Sequence, residues 1–229
     1  MSEVHTNNKT RADSALMNLL GRFKNDFWSF PLYILGRPFK GFDEMKYEGR
    51  GSLGFAIVIF FLSALMNIVE FVYCGFLVNY NNPYQINSLF LALVTIFPVL
   101  LFMVANWSVT TLLEGKGRMK DIFMVMMYAM FPFLLLRLIS LVLTNVLTLD
   151  EMMISSTLTG IGSVLFFVYT FIGLVVVHEY GLGAGVGSIL LTLIAMMIIV
   201  FILMLFFTLV ADLVDFVTVF GRELMLKYF

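Results

Sequence analysis

The stretch 113–121, LEGKGRMKD, joins two long apolar runs and decides how the rest of the chain is interpreted. It follows the run 89–111, LFLALVTIFPVLLFMVANWSVTT, and precedes the run 122–136, IFMVMMYAMFPFLLL. A run of roughly 20 apolar residues is long enough to cross the hydrocarbon core of a bilayer as an α-helix. We therefore interpret 113–121 as a short polar turn between two membrane-spanning helices.

The composition of the whole chain supports this interpretation. Of its 229 residues, 61% are hydrophobic and only 13% are charged, and its mean hydropathy is +0.98. Soluble domains carry roughly 25% charged residues, about twice the fraction found here. The composition therefore excludes a soluble globular protein. The net charge of −1 gives no reason to expect a nucleic-acid partner. Cys74 is the only cysteine, which excludes an internal disulfide and a cysteine-based metal site.

Five apolar runs are long enough to span a membrane, and the backbone of each must be helical because lipid offers it no hydrogen-bond partners. The predicted fold class is an all-α, polytopic membrane protein with a bundle of five transmembrane helices. We expect a segment over 1–50, a five-helix domain over 51–211 and an amphipathic tail over 212–229. The predicted spans are about 53–78, 89–112, 122–146, 157–177 and 187–211.

The distribution of Lys and Arg predicts the orientation. Residues 1–50 hold eight of them, and the turn holds Lys116, Arg118 and Lys120. The loops 79–88 and 147–156 hold none. By the positive-inside rule, the N-terminus and the turn face the cytoplasm. Five spans then place the tail on the outer side, although Arg222 and Lys227 argue against that placement.

Residues 15–31, ALMNLLGRFKNDFWSFP, have apolar groups at 16, 20, 23, 27 and 30. This spacing places one apolar stripe along a helix. Phe23, Phe27 and Trp28 suit the headgroup level, so the pattern predicts an amphipathic helix lying on the cytoplasmic membrane surface. A helix packed directly on the bundle is an alternative with equal support.

Two opposite charges fall inside predicted spans, where a lone charge is costly. Glu70 lies eight residues before the outer end of span one, and Arg137 lies nine before that of span three. These depths correspond to about 12 and 13.5 Å at 1.5 Å per residue. Because the depths match, we predict that spans one and three are neighbours and that the two side chains pair. Whether the pair is structural or part of a proton or ion path stays open.

Several motifs that suggest chemistry are incomplete. Gly115-Lys116-Gly117 lacks the earlier glycine and the following Ser or Thr of a phosphate-binding loop, so we expect its glycines to permit positive φ in a tight turn. His178-Glu179 lacks the second histidine of a zinc-protease helix, and we expect His178 at the membrane interface. We find no catalytic triad, carboxylate pair or metal cluster, and we predict no enzymatic activity and no cofactor.

The block from 106 to 132, NWSVTTLLEGKGRMKDIFMVMMYAMFP, resembles the signature of the Yip family, the Ypt/Rab-interacting-protein type of five-span membrane proteins. In that family a Trp and a Gly-Lys-Gly turn precede a span that carries Tyr-Ala-x-x-Pro. LGRPFKGF and HEYGLGAGVG resemble the segments before its first and last spans. The resemblance covers roughly 30–210. The matching motif residues are Trp107, Gly115, Lys116, Gly117, Tyr128, Ala129 and Pro132.

The resemblance implies a cytoplasmic N-terminus, five helices and a membrane scaffold that recruits other membrane proteins or a second copy. Eukaryotic relatives act in vesicle traffic and bind prenylated Rab-type GTPases. Residues 1–50 lack their Asp-Leu-Tyr-Gly-Pro motif, which argues against GTPase binding. The chain is more similar to the prokaryotic branch, which implies a cell membrane, with the ER or Golgi as the alternative. A small transporter or channel subunit using Glu70 and Arg137 is the competing function.

Overall fold

The computed structural model describes residues 28–82 and 85–228, and the regular structure in these ranges is helical. Phe23 and Phe27 of the predicted surface helix lie outside the described residues. Trp28 is described; its side chain is 57% exposed, and its ring meets the ring of Phe131 edge-on at 6.3 Å. The helices are α1 (Phe30–Gly36), α2 (Pro38–Tyr47), α3 (Leu53–Tyr73), α4 (Ser88–Leu112), α5 (Met119–Thr144), α6 (Met152–His178) and α7 (Leu182–Tyr228).

Helices α3 to α7 are each long and apolar enough to cross a membrane, which confirms the predicted fold class. Polar residues fix where three of them begin. The Oγ of Ser52 accepts a hydrogen bond from the backbone N–H of Phe55, and Oδ1 of Asn87 does the same for Phe90. The backbone N–H of Arg118 donates to Asp121, which begins α5.

Helix α5 forms the centre of the bundle and packs against α3, α4 and α6. In its most apolar stretch 61% of the residues are buried, compared with 33% in α3, 11% in α4 and 6% in α7. Flexible methionine side chains fill the irregular spaces around this helix. The buried ones are Met124, Met126, Met127 and Met130.

Short helices α1 and α2 close one end of the bundle. Pro38 begins α2 directly after Arg37, whose non-helical backbone (φ −143°, ψ 71°) separates the two helices. Helix α1 contacts α5, and α2 contacts α6. Phe30, Ile34 and Phe42 are at most 1% exposed, so this segment is part of the core.

Four helix boundaries lie five or more residues from the predicted span limits, among them the starts of α6 at Met152 and of α7 at Leu182. Helix α3 ends at Tyr73 because the next residues pack on the end of α5: a Cβ atom on Gly75 would lie 1.8 Å from the carbonyl oxygen of Thr144. Helix α7 continues for 47 residues through the predicted separate tail. Residues 208–220 contain no proline or glycine that would break the helix after 211. At 1.5 Å per residue, α7 is about 70 Å long.

The contact between α5 and α6 depends on glycine. A Cβ atom on Gly173 would lie 2.4 Å from Cγ1 of Val125, a branched and fully buried side chain, whereas one on Gly160 would meet nothing within 4 Å.

We predict that Gly173→Ala lowers the free energy of unfolding by about 1–3 kcal/mol through overpacking. Gly160→Ala in the same helix should be neutral or stabilising. Thermal unfolding of both variants in detergent measures the difference, and equal stability would contradict the packing.

Candidate functional site

The family-like motifs meet at one end of the bundle, which we name the basic end and define by residues 37–52, 113–121 and 178–181. The side chain of Lys46 reaches α6, where its ammonium donates to the carbonyl oxygen of Val177 at 2.6 Å. The side chain of Lys116 pairs with Glu179. Three segments distant in sequence are therefore tied together at this end.

The turn at 113–118 contains a positive φ, but not at a glycine. The residue in the left-handed region is Glu114, with φ of 56°. Gly115 and Gly117 serve a different purpose from the one expected, because they allow close approach. A Cβ atom on Gly115 would lie 2.5 Å from the hydroxyl of Tyr180, and one on Gly117 would lie 2.6 Å from Cε1 of His178.

His178 is the last residue of α6 and is 2% exposed. The backbone N–H of Gly117 donates to its Nδ1 at 3.2 Å. Because Nδ1 accepts, Nε2 carries the proton and donates to Oδ1 of Asn106 at 3.3 Å. The imidazole is therefore neutral, and its ring stacks on that of Tyr180 at 5.3 Å.

The hydrogen-bonded chain continues into α7. Nδ2 of Asn106 donates to Oγ1 of Thr192 at 3.0 Å, and the Thr192 hydroxyl donates to the carbonyl oxygen of Ser188 at 2.8 Å. Asn106 and Thr192 are fully buried. This relay connects the turn, α6, α4 and α7. The sequence alone did not single out Thr192, although it shows a polar pair, Ser188 and Thr192, four residues apart in an apolar run.

Glu179 is the charged centre of the basic end. It has a φ of 57° and accepts hydrogen bonds from Lys116 and from the hydroxyl of Tyr47, and Lys46 lies 3.7 Å away. The bond from Lys116, followed by that from Tyr47, lowers the pKa of Glu179 to about 2. The same bond raises the pKa of Lys116. Both groups thus stay charged throughout the physiological pH range.

A second carboxylate, Glu44, was not singled out from the sequence. It accepts a hydrogen bond from the hydroxyl of Tyr33 at 2.9 Å and pairs with Arg50. Burial by itself raises the pKa of Glu44, but the bonds from Tyr33 and Arg50 outweigh it and lower the pKa. The Arg50 guanidinium lies 5.3 Å from the ring centres of both Phe30 and Tyr33. These contacts hold α1 and α2 together.

The remaining motif residues lie mainly in α5. The hydroxyl of Tyr128 accepts a hydrogen bond from the backbone N–H of Ser52 at 2.9 Å, and its ring lies 4.6 Å from that of Phe55. Ala129 and Pro132 are buried beside it. Trp107 differs from these residues because it is 43% exposed on α4.

The structure brings Glu70 and Arg137 together. Nε of Arg137 donates to Oε1 of Glu70 at 2.9 Å, and a terminal nitrogen donates to Oδ1 of Asn67 at 2.7 Å. Asn67 donates in turn to Thr95 of α4. The depths differ from those expected: Glu70 is three residues and Arg137 seven from their helix ends, which is about 4.5 and 10.5 Å. The long arginine side chain bridges the difference.

No three His, Cys, Asp or Glu side chains in 28–82 and 85–228 lie together as a metal-binding group. The arrangement described above links helices through hydrogen bonds and ion pairs. These hydrogen bonds and ion pairs fix the geometry of the basic end and place charged side chains on its surface.

Residues 32–207 match the Yip1 domain family. This range covers more than half of the 229 residues. The chain belongs to the Yip1 family. The match extends from α1 into α7 and contains every motif residue of the resemblance, so the chain is a multi-pass membrane protein of the Yip type. Comparisons with curated proteins and with solved structures found no match.

The buried relay generates a prediction about stability. Asn106→Ala would leave the Nε2–H of His178 without its acceptor, which costs about 1–3 kcal/mol. Ser108→Ala, in the same helix, removes an exposed hydroxyl that bonds only to its own helix and should change stability by less than about 0.5 kcal/mol. Chemical denaturation in micelles compares the two variants. Equal losses would show that the relay contributes nothing.

The intramembrane ion pair generates a second prediction. Arg137→Met leaves Glu70 unpaired and should cost about 1–3 kcal/mol, less than a fully buried pair because the Glu70 side chain is 32% exposed. Adding Glu70→Gln should recover part of that loss, so that the double variant is more stable than additivity predicts. Arg222→Met at the exposed end of α7 is the matched control. Strictly additive losses would contradict the pairing.

Proposed function

We propose that this Yip1-family protein is a non-catalytic membrane scaffold that recruits partner membrane proteins at its basic end. The observation that carries the proposal is the way the turn 113–118 is held. Two glycines lie against His178 and Tyr180, and Lys116 is bound by Glu179. The polar groups of the motif thus build a fixed surface.

Several cations on that surface are exposed, among them Arg37, Arg118 and Lys120. The Arg118 side chain is 76% exposed although it contacts Asp121, and Lys120 is exposed. At the opposite end the loops carry Asp150 and Glu151 and no Lys or Arg. A partner with an acidic segment next to its membrane span would meet complementary charge at the basic end. Within the bilayer, the exposed apolar faces of α7 offer further contact to a partner or to a second copy.

We propose that the basic end faces the cytoplasm, in the cell membrane of a prokaryote. The positive-inside rule and the clustering of Lys and Arg support this orientation. In a Cys74→Ser background, a membrane-impermeant maleimide applied to intact cells should label a cysteine at position 81 and not one at position 120. The reverse labelling pattern would overturn the orientation.

The recruiting role is tested by co-purification in a mild detergent followed by quantitative mass spectrometry. Lys120→Glu should deplete the specific membrane partners several-fold, because it reverses a charge on the recruiting surface. Asn81→Glu places the same carboxylate in the loop at the opposite end and should leave them in place. If the same proteins are recovered with both variants, the basic end does not recruit them.

A small transporter or channel subunit is the second candidate function, favoured by the polar network of Glu70, Arg137, Asn67 and Thr95 inside the spans. In that case Glu70→Gln would abolish proton or ion flux into proteoliposomes. Under the scaffold proposal, the wild-type protein and Glu70→Gln show the same background flux.

A further inference from the structure

A cavity of about 470 Å³ lies inside the bundle among four spanning helices, away from the basic end. Its volume falls in the range of about 300–1,000 Å³ typical of small-molecule sites. The walls are almost entirely apolar. They include Val99 and Phe102 of α4, Met130 of α5, Phe166 and Thr170 of α6, and Leu193 of α7.

The cavity exists because α6 and α7 separate after their hairpin. The two helices meet where Gly185 faces Val175, since a Cβ atom on Gly185 would lie 2.5 Å from Cγ2 of Val175. Beyond that point α7 packs mainly on α4, and a wedge opens between α6 and α7. Phe167 and Leu193 at the cavity are 69% and 48% exposed, so the wedge opens sideways to lipid.

Thr170 borders this cavity and differs from several other threonines of the spans. Thr110, Thr192 and Thr208 each donate to the carbonyl oxygen one helical turn earlier. Thr170 is 7% exposed, and its hydroxyl has no hydrogen-bond partner among the described residues. A buried hydroxyl without a partner is unfavourable, and a ligand with an acceptor oxygen in this cavity would satisfy it.

Water and protein are both poor occupants. A buried water needs two to four polar partners, and the second hydroxyl at this cavity, that of Thr95, is bonded to Asn67. A helix with its side chains is about 10–12 Å wide and does not fit a space of this size. An acyl chain is narrow, apolar and abundant around the opening.

The depth of Thr170 suits an ester-linked chain. It lies eight residues before the end of α6 at His178, or about 12 Å along the helix. Helix α6 is about 40 Å long, which exceeds the 30 Å of hydrocarbon by about 5 Å at each end when centred. Thr170 is then about 7 Å inside the boundary. As one acyl chain enters the wedge, its lipid sinks a few Å towards the bilayer centre. The ester group of that lipid then comes within reach of the Thr170 hydroxyl.

We propose that this cavity is a binding site for one acyl chain of a bilayer diacyl phospholipid, with the Thr170 hydroxyl donating to its ester carbonyl oxygen. The chain enters between α6 and α7 and fills the space between Val99 and Leu193. The site is distinct from the basic end and does not depend on the scaffold proposal.

The test uses the full chain in liposomes that contain phosphatidylglycerol with a diazirine in one acyl chain. After illumination, mass spectrometry maps the labelled residues. In the wild type, we expect more label on the cavity-lining residues within 166–171 and 189–196 than on the lipid-exposed residues within 204–209. Val99→Phe fills the cavity and should lower cavity labelling several-fold, whereas Val94→Phe, exposed on the same helix, should not.

Two further variants make the test decisive. Thr170→Val keeps the shape and should reduce labelling roughly two- to tenfold, the worth of one hydrogen bond, with Thr208→Val as the control. If Val99→Phe fails to elute as folded protein, Leu193→Trp at the opening takes its place, with Leu209→Trp as its control. Cavity labelling no greater than that of exposed α7, or equal in the filled and control variants, overturns the proposal.

Discussion

Helices surrounded by lipid gain no stability from hiding apolar side chains from their solvent, because lipid tails are as apolar as the side chains themselves. Their association must therefore come from close packing and from hydrogen bonds between helices. This chain uses both. Gly173 and Gly162 bring α6 close to α5, where a Cβ atom would lie within 3 Å of a neighbouring side chain. Polar side chains then join the helices at two levels, at the basic end and around Arg137.

The same constraint gives the Yip motif a physical explanation. Gly-Lys-Gly acts as a unit here, because both glycines lie directly against His178 or Tyr180 while the intervening lysine reaches Glu179. His178-Glu179 belongs to the other family-like segment, so two motifs separated by 60 residues form one structure. Tyr128 attaches the start of α3 to the central helix through Ser52. The motif thus specifies how the spans are fastened at one end.

Composition and run length were sufficient to predict the five helices and their membrane setting, since an apolar run of this length with at most one charge has few other physical outcomes. The family was predictable from the order and spacing of short motifs. Contacts that depend on three-dimensional approach were not. The sequence does not distinguish a glycine that allows a neighbouring side chain to approach closely from one that adopts a positive φ. In this turn the positive φ falls on Glu114. Thr192 and Glu44 acquire their roles from partners more than ten residues away. The ends of α3 and α7 depended on packing and on the absence of a breaking residue.

Helix α7 has a consequence for the surrounding bilayer. From Leu182 to its first acidic residue, Asp212, it runs for 30 residues without a charge, which is about 45 Å of rod. Even a lean of about 40°, the upper end for such helices, reduces the height to about 34 Å against some 30 Å of hydrocarbon. Hydrophobic mismatch is thus built into the last helix, and either the rod leans strongly or the lipid thickens around it. The tilt of α7 therefore depends on the thickness of the membrane around it.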